Sequence, residues 1–260
     1  MSEDERSRAV SAGLFGFGPL AHLASVEAGG KGDPVHSAFG GEMQPGLFRG
    51  VEKRRIANPA PLGLAAFALT TFMLSLINLG TLGLTDPSII IALGFGYGGL
   101  VQLLAGMWEM AIGNTFGATA LSSYGGFWLS FAILLTPGGF QIEDTTKTAS
   151  GPAGLLKTIG LFLMGWFIFT FILVLCTLKS TVAFCMLFVT LDLAFLLLGV
   201  AYLRNDGAVP HQILLKAGGG FGIISAFLAW YNAFAGLADT SNSFFIIPAI
   251  YFPWTARKKE

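Results

Sequence analysis

The sequence predicts an all-α integral membrane protein, with a bundle of six transmembrane helices in each subunit. Three observations predict it. Of 260 residues, 53% are hydrophobic and only 12% are Asp, Glu, Lys or Arg, where a soluble domain has about 25% charged residues. The mean hydropathy is +0.68. The charge is also kept out of the middle. Met1 to Ala57 hold seven bases and seven acids, the 197 residues from Asn58 to Trp254 hold five and seven, and Arg257 to Glu260 hold three and one. The net charge is zero, which gives no general basic surface for a nucleic acid.

Residues 1–57 are rich in Gly, Ser, Ala and charge and read as a disordered cytoplasmic tail, with two less polar patches at Leu14–Leu23 and Ala38–Phe48. Met1 to Arg6 is acidic and leads into no sustained apolar run, so no cleavable signal peptide is expected. A spanning helix needs about 20 mainly apolar residues. Within a transmembrane domain at 58–240, the stretches 61–82, 88–112, 118–136, 155–178, 181–203 and 216–237 meet or approach this length. The third is the shortest and is expected to begin near Ser122-Ser123-Tyr124. Breaks of Gly, Pro or charge separate the stretches, the longest running from Pro137 to Pro152. Residues 241–260 form a C-terminal segment. Phe244 to Trp254 is apolar but too short to span, so it is expected on the bundle or at the interface, before a short basic end.

With the N-terminus cytoplasmic, that side holds Lys53, Arg54, Arg55, Lys179, Arg257, Lys258 and Lys259, against Lys147, Lys157, Arg204 and Lys216 on the other. Seven bases against four place both termini inside. Small residues recur at helical spacing. Ala92, Gly99, Gly106 and Gly113 are seven apart in the second helix, and Gly222, Ala226, Ala229, Ala233 and Gly236 form a stripe in the sixth. Such stripes let helix backbones approach closely in lipid.

Polar groups within the spans are the functional candidates. Phe67, Thr71, Ser75 and Asn78 share one face of the first helix. Their hydroxyls either bond their own helix backbone or line a wet path. Asp192 lies mid-span in the fifth helix. Glu109 follows Gln102 by seven residues in the second and either handles protons or meets Lys179 or a helix N-terminus. Asp192 and Glu109 are the proton-coupling candidates. Tyr231-Asn232 in the sixth helix adds further polar groups. Cys176 and Cys185 read as small core residues. His22, His36 and His211 assemble with no nucleophile or metal-ligand pattern. Gly94-Phe95-Gly96-Tyr97-Gly98-Gly99 sits inside an apolar helix, where a phosphate loop does not belong. Neither enzyme activity nor a cofactor or metal is expected.

Asn58-Pro59-Ala60-Pro61-Leu62-Gly63-Leu64, followed by Phe67-Ala68-Leu69-Thr70-Thr71-Phe72, resembles the signature of the acetate uptake transporter family. That family includes fungal acetate/ammonia-export proteins and bacterial succinate–acetate permeases. Tyr97-Gly98-Gly99, Gln102, Trp108-Glu109, the run from Gly113-Asn114 to Ala120, Ser123-Tyr124-Gly125-Gly126-Phe127-Trp128, Thr177 to Thr181, and Ala229-Trp230-Tyr231-Asn232-Ala233 extend the resemblance in order across the membrane body. The long polar tail is similar to that of the fungal members.

The resemblance implies a homohexamer of six-helix subunits in the plasma membrane, each with a pore narrowed by a hydrophobic Phe–Leu–Tyr constriction. The Phe matches Phe67, the Tyr matches Tyr124, and the Leu matches Leu191 with Leu193 as its neighbouring alternative. Asn58 would shape the pore entrance, and Thr71, Ser75, Asn78, Gln102, Asn114 and Asn232 would accompany the substrate. The implied activity is transport of acetate, with succinate, formate, propionate and lactate as related substrates, and proton coupling is expected because a bare carboxylate crossing a low-dielectric constriction pays a large desolvation cost. Ammonium export, or an acetate sensor without transport, are the alternatives. Phe252 to Glu260 departs from the family pattern.

Overall fold

The computed structural model describes residues 57–255. The reading of 1–57 as a disordered tail, its patches at 14–23 and 38–48, and the basic end at 257–260 fall outside the described residues, Ala57 excepted. Six helices are long and apolar enough to cross a membrane. These are α1 (Ala60–Leu79), α2 (Ile89–Ala111), α3 (Thr115–Leu135), α4 (Ile142–Thr177), α5 (Val182–Leu203) and α6 (Gln212–Leu237). Among the described residues the only strand-like pairing is one bridge between Thr181 and Tyr251.

Local chemistry sets the ends. Gly80 closes α1 in the left-handed region at φ 72°, with its N–H donating to the Ile77 carbonyl, a conformation that costs a glycine little. Asn114 caps α3, its side chain accepting the Gly117 N–H at 3.0 Å. The Thr181 side chain does the same for the Phe184 N–H at the start of α5.

Two sequence expectations need correction. The third helix begins at Thr115, so Ser122, Ser123 and Tyr124 lie near its middle, and its 21 residues exceed the 20 of α1. The break expected from Pro137 to Pro152 is largely helical. Helix α4 starts at Ile142 and bends at Gly151 (φ 71°, ψ 174°), beside Pro152. Glu143 and Asp144 in the first turn complement the helix dipole, and Lys147 pairs with Glu143 at 3.0 Å. A polar helical turn of this kind resembles a loop in composition.

Helix α2 is not uniform. Gly96–Val101 is a π-helical turn, which shifts the register. Gly94, Gly98, Gly99 and Gly106 are therefore buried while Ala92 and Gly113 are exposed, and the expected seven-residue stripe does not stay on one face. A Cβ on Gly98 would stand 2.5 Å from the Thr70 hydroxyl oxygen. Thr70 cannot yield easily, because it is fully buried and donates to the Ala66 carbonyl. Gly98→Val should therefore destabilise the protein by about 2 kcal/mol through overpacking, measured as a lowered unfolding temperature in detergent.

The sixth-helix stripe does hold, with Gly222, Ala226, Ala229 and Ala233 buried. Helices α1 and α6 pack closely and antiparallel. Gly236 faces Asn58 and Pro61 at one end, and Gly219 faces Asn78 and Leu79 at the other. Helices α4 and α5 lock through Gly160 against Leu203 and Gly199 against Met164. Helices α3 and α4 approach least closely of the consecutive pairs. Aromatic rings bridge them, with Phe127 stacked on Phe162 at 5.8 Å and Trp166 edge-on to Phe127 at 5.2 Å. The C-terminal segment lies across the α4–α5 turn. Ile250 accepts the Val182 N–H at 2.8 Å, and the Trp254 indole donates to the Leu178 carbonyl at 2.9 Å.

Candidate functional site

The halves of α1, α3, α4, α5 and α6 that lie towards Gly80 enclose a cavity of about 680 Å³. Its mouth is bounded by Gly80, Thr85, Pro87, Val209, Pro210, Gln212 and Lys216, and its deepest lining residues are Phe67, Tyr124 and Leu191. The helix order explains the arrangement. Helices α1, α3 and α5 run in the same direction, so Phe67, Tyr124 and Leu191 reach one depth from three sides. The Phe67 and Tyr124 ring centroids are 5.8 Å apart, within the range of direct aromatic contact. All three residues are buried. Leu191 lines the cavity and Leu193 does not. Towards the Asn58 end, Phe116, Phe184 and Phe188 pack with ring centroids 5.2–5.7 Å apart and fill the space between the helices.

The polar stripe of α1 faces this cavity, and Thr71, Ser75 and Asn78 all line it. The Thr71 hydroxyl is buried and has no hydrogen-bond partner among the described residues. The other proposed pathway residues do not line the cavity. Asn58 is half-buried at the start of α1, where its side chain accepts the Ala60 N–H at 3.2 Å. Asn232 is fully buried and donates to the Leu228 carbonyl at 2.7 Å. Gln102 is fully buried beside the π-helical turn, and neither amide atom has a hydrogen-bond partner among the described residues.

Glu109 and Asn114 belong to the α2–α3 turn. The Asn114 amide donates to the Glu109 carboxylate, and the Glu109 carbonyl accepts the Asn114 N–H at 2.9 Å. A buried carboxylate thus sits at the N-terminus of α3, where the helix dipole favours negative charge. Of the two settings weighed for Glu109, Lys179 or a helix N-terminus, the structure shows the second.

Asp192 is 8% exposed, and its Oδ1 has no hydrogen-bond partner among the described residues. It lies outside the cavity lining. Gly199, seven residues later on the same side of α5, packs on Met164 of α4, so Asp192 faces α4. The Tyr124 hydroxyl is engaged with Thr170 of α4 at 2.9 Å.

Sequence reasoning did not single out Trp128, which lines the cavity one turn above Tyr124 and has a buried indole N–H with no partner among the described residues. Nor did it find Phe195, one turn above Leu191 and stacked on Tyr124 at 6.4 Å. Spacing by four residues from Tyr124 and Leu191 was the available signal. Among the described residues, the mouth carries one cation, Lys216, and no lining carboxylate. In the loops beside it, hydrogen bonds from the Ser88 hydroxyl and N–H hold Asp86 below the usual carboxylate range, and the Val209 and Ala208 N–H groups do the same for Asp206. Among the described residues, no cluster of three or more His, Cys, Asp or Glu is placed to hold a metal.

Comparison with known proteins agrees with this architecture. Acetate permease A of Emericella nidulans is 61% identical over 256 residues, which is 98% of this chain and 82% of that protein. Ammonia transport outward protein 2 of Saccharomyces cerevisiae is 46% identical over 85% of this chain and 75% of its own length. The succinate-acetate/proton symporter SatP of Escherichia coli is 39% identical over 60% of this chain and 78% of its own length. The solved structure of the bacterial acetate channel SatP superposes with a TM-score of 0.63 at 32% identity, covering 75% of this chain and 99% of that one. A family model matches residues 39–254, the whole described membrane body, and the chain belongs to the GPR1/FUN34/yaaH family.

Proposed function

We propose that this protein transports acetate and related small monocarboxylates across the plasma membrane, with both termini cytoplasmic, and that protons accompany the substrate. The observation that carries the reading is a cavity open at one end whose floor is the apolar trio Phe67, Tyr124 and Leu191. A carboxylate entering such a floor loses its water at a large cost. Two features lower that cost: hydrogen-bond donors on the wall, and a proton that neutralises the charge. An apolar constriction also closes readily by expelling water. The flanks of the bundle carry exposed apolar side chains, among them Leu104, Met107 and Trp108 on α2 and Ile168, Phe171 and Ile172 on α4. Lipid, and neighbouring subunits of the proposed homohexamer, are the partners for these surfaces. Succinate, formate, propionate and lactate are the further substrates proposed. No catalytic role is assigned to any residue.

The test is labelled acetate uptake into proteoliposomes, with and without an inward proton gradient. Uptake above empty vesicles that rises with the gradient supports the reading, and acetate binding without uptake replaces it with a sensor. Ammonium export is the second reading, favoured by the name of the yeast relative. The cavity opposes it, because among the described residues its one charged lining residue is Lys216, which repels a cation. Labelled methylammonium in the same vesicles separates the two.

Thr71→Val keeps the side-chain shape and removes the hydroxyl. A hydrogen bond to a charged group is worth about 1.5–3 kcal/mol. Half-saturating acetate should therefore rise about tenfold with little change in maximal uptake, read from the concentration dependence of initial rates.

A further inference from the structure

We propose that Thr170, which does not line the cavity, is the positioning residue that holds the Tyr124 ring across the path. The inference rests on the transport reading above, since it concerns the floor of that path. Tyr124 and Thr170 are both buried, and their hydroxyls lie 2.9 Å apart. They are 46 positions apart in the chain, on α3 and α4, the consecutive helices that pack least closely. Among the described residues this is the only side-chain hydrogen bond between those two helices. The ring contacts that also join them, Tyr124 with Trp166 and Phe169 and Phe127 with Phe162 and Trp166, tolerate sliding and tilting far more readily than a hydrogen bond of fixed direction.

The bond also explains why the Tyr124 hydroxyl points to α4 rather than into the cavity, where an incoming carboxylate would meet it. Its ring is left to do the work of the floor. Phe67 lies against it at 5.8 Å and Phe195 is stacked on it at 6.4 Å. Rotating the ring away would require breaking the bond to Thr170 and leaving two hydroxyls unpaired in an apolar setting, which is costly. Thr170 therefore sets how wide the floor opens, and with it which acids pass.

The register of α4 and α5 adds a polar neighbour. Gly199 meets Met164 and Leu203 meets Gly160, and this antiparallel spacing brings Asp192 level with Thr170 and Phe171. Asp192 thus lies mid-span at the α4–α5 seam, at the level of the hydroxyl pair.

The experiment compares uptake of labelled propionate and acetate in proteoliposomes for wild type, Thr170→Val, Thr170→Ser, Tyr124→Phe and the Thr170→Val/Tyr124→Phe pair. Valine matches threonine in shape, and phenylalanine retains the ring. Losing one net hydrogen bond corresponds to about a fivefold effect. Thr170→Val should therefore raise the propionate-to-acetate ratio about fivefold, Tyr124→Phe should do the same, and the pair should do no more than either, because both remove one shared bond. Thr170→Ser should stay within about twofold of wild type, since its hydroxyl remains. An unchanged ratio in Thr170→Val overturns the proposal, as do additive effects in the pair or a serine variant that behaves like valine. If Thr170→Val does not yield folded protein, Tyr124→Phe against Thr170→Ser still decides it: a fivefold shift in the first alone supports the proposal, and equal ratios overturn it. A wild type with no uptake of either acid instead overturns the transport reading, and the two failures are thereby distinguished.

Discussion

Replacing Phe67 with Ala is expected to raise acetate flux about tenfold and the flux of the bulkier lactate and succinate by more. Phe67 is 4% exposed, and its ring is one wall of the cavity floor. Removing the ring leaves Tyr124 and Leu191 facing open space rather than a third apolar surface. A tenfold rate change corresponds to about 1.4 kcal/mol of barrier, a small part of what dehydrating a carboxylate costs. The same variant should lose about 3 kcal/mol of stability, since a buried phenylalanine is truncated. Flux in vesicles and the unfolding temperature in detergent move in opposite directions if both statements hold. Reduced flux with unchanged selectivity would mean that Phe67 is packing and not a gate.

Asp192→Asn is expected to remove the response to a proton gradient while acetate still moves down its own gradient. With one proton carried per acetate, a gradient of one pH unit supplies about a tenfold driving ratio, and in the variant that stimulation should fall to about one. The position argues for this role, because Asp192 is a carboxyl inside an apolar span, level with the Tyr124–Thr170 pair, and such groups mark proton and ion paths. The loop acids are poor rivals. Asp86 and Asp206 are exposed and Asp239 is half-buried, and hydrogen bonds from Ser88, from Val209 and Ala208, and from Ser241 respectively lower their pKa values. With a depressed pKa, each stays ionised until the pH falls below the usual carboxylate range, and only there are the turns it holds weakened. A pH response between 5 and 7 therefore does not arise from them. Asp86→Asn should keep that response and Asp192→Asn should lose it, both read as uptake against external pH.

Much of the fold was legible because a spanning helix is specified by apolar length alone. Each of the six expected stretches corresponds to one helix, and the boundaries moved mainly where a polar turn is helical, as at Ile142 to Ser150. The α1 face of Phe67, Thr71, Ser75 and Asn78 was legible from spacing, and all four line the cavity. What spacing could not provide was distance between helices. Gln102 and Glu109 share a face of α2, yet that face turns to the protein interior away from the cavity. The π-helical turn at Gly96–Val101 leaves no simple mark in a glycine-rich stretch and shifts every residue after it. Thr170 was invisible because only the tertiary structure brings it to Tyr124. Trp128 and Phe195 were overlooked because an aromatic residue in an apolar helix carries no polar signature.

The most direct test of the proposed path uses Leu191→Cys in a background where Cys176 and Cys185 are serine. A small thiol reagent applied from the cavity mouth should react with the cysteine, stop acetate uptake in proteoliposomes, and react more slowly when acetate is present. Complete labelling of Leu191→Cys with uptake unimpaired would show that acetate crosses elsewhere and would contradict the account.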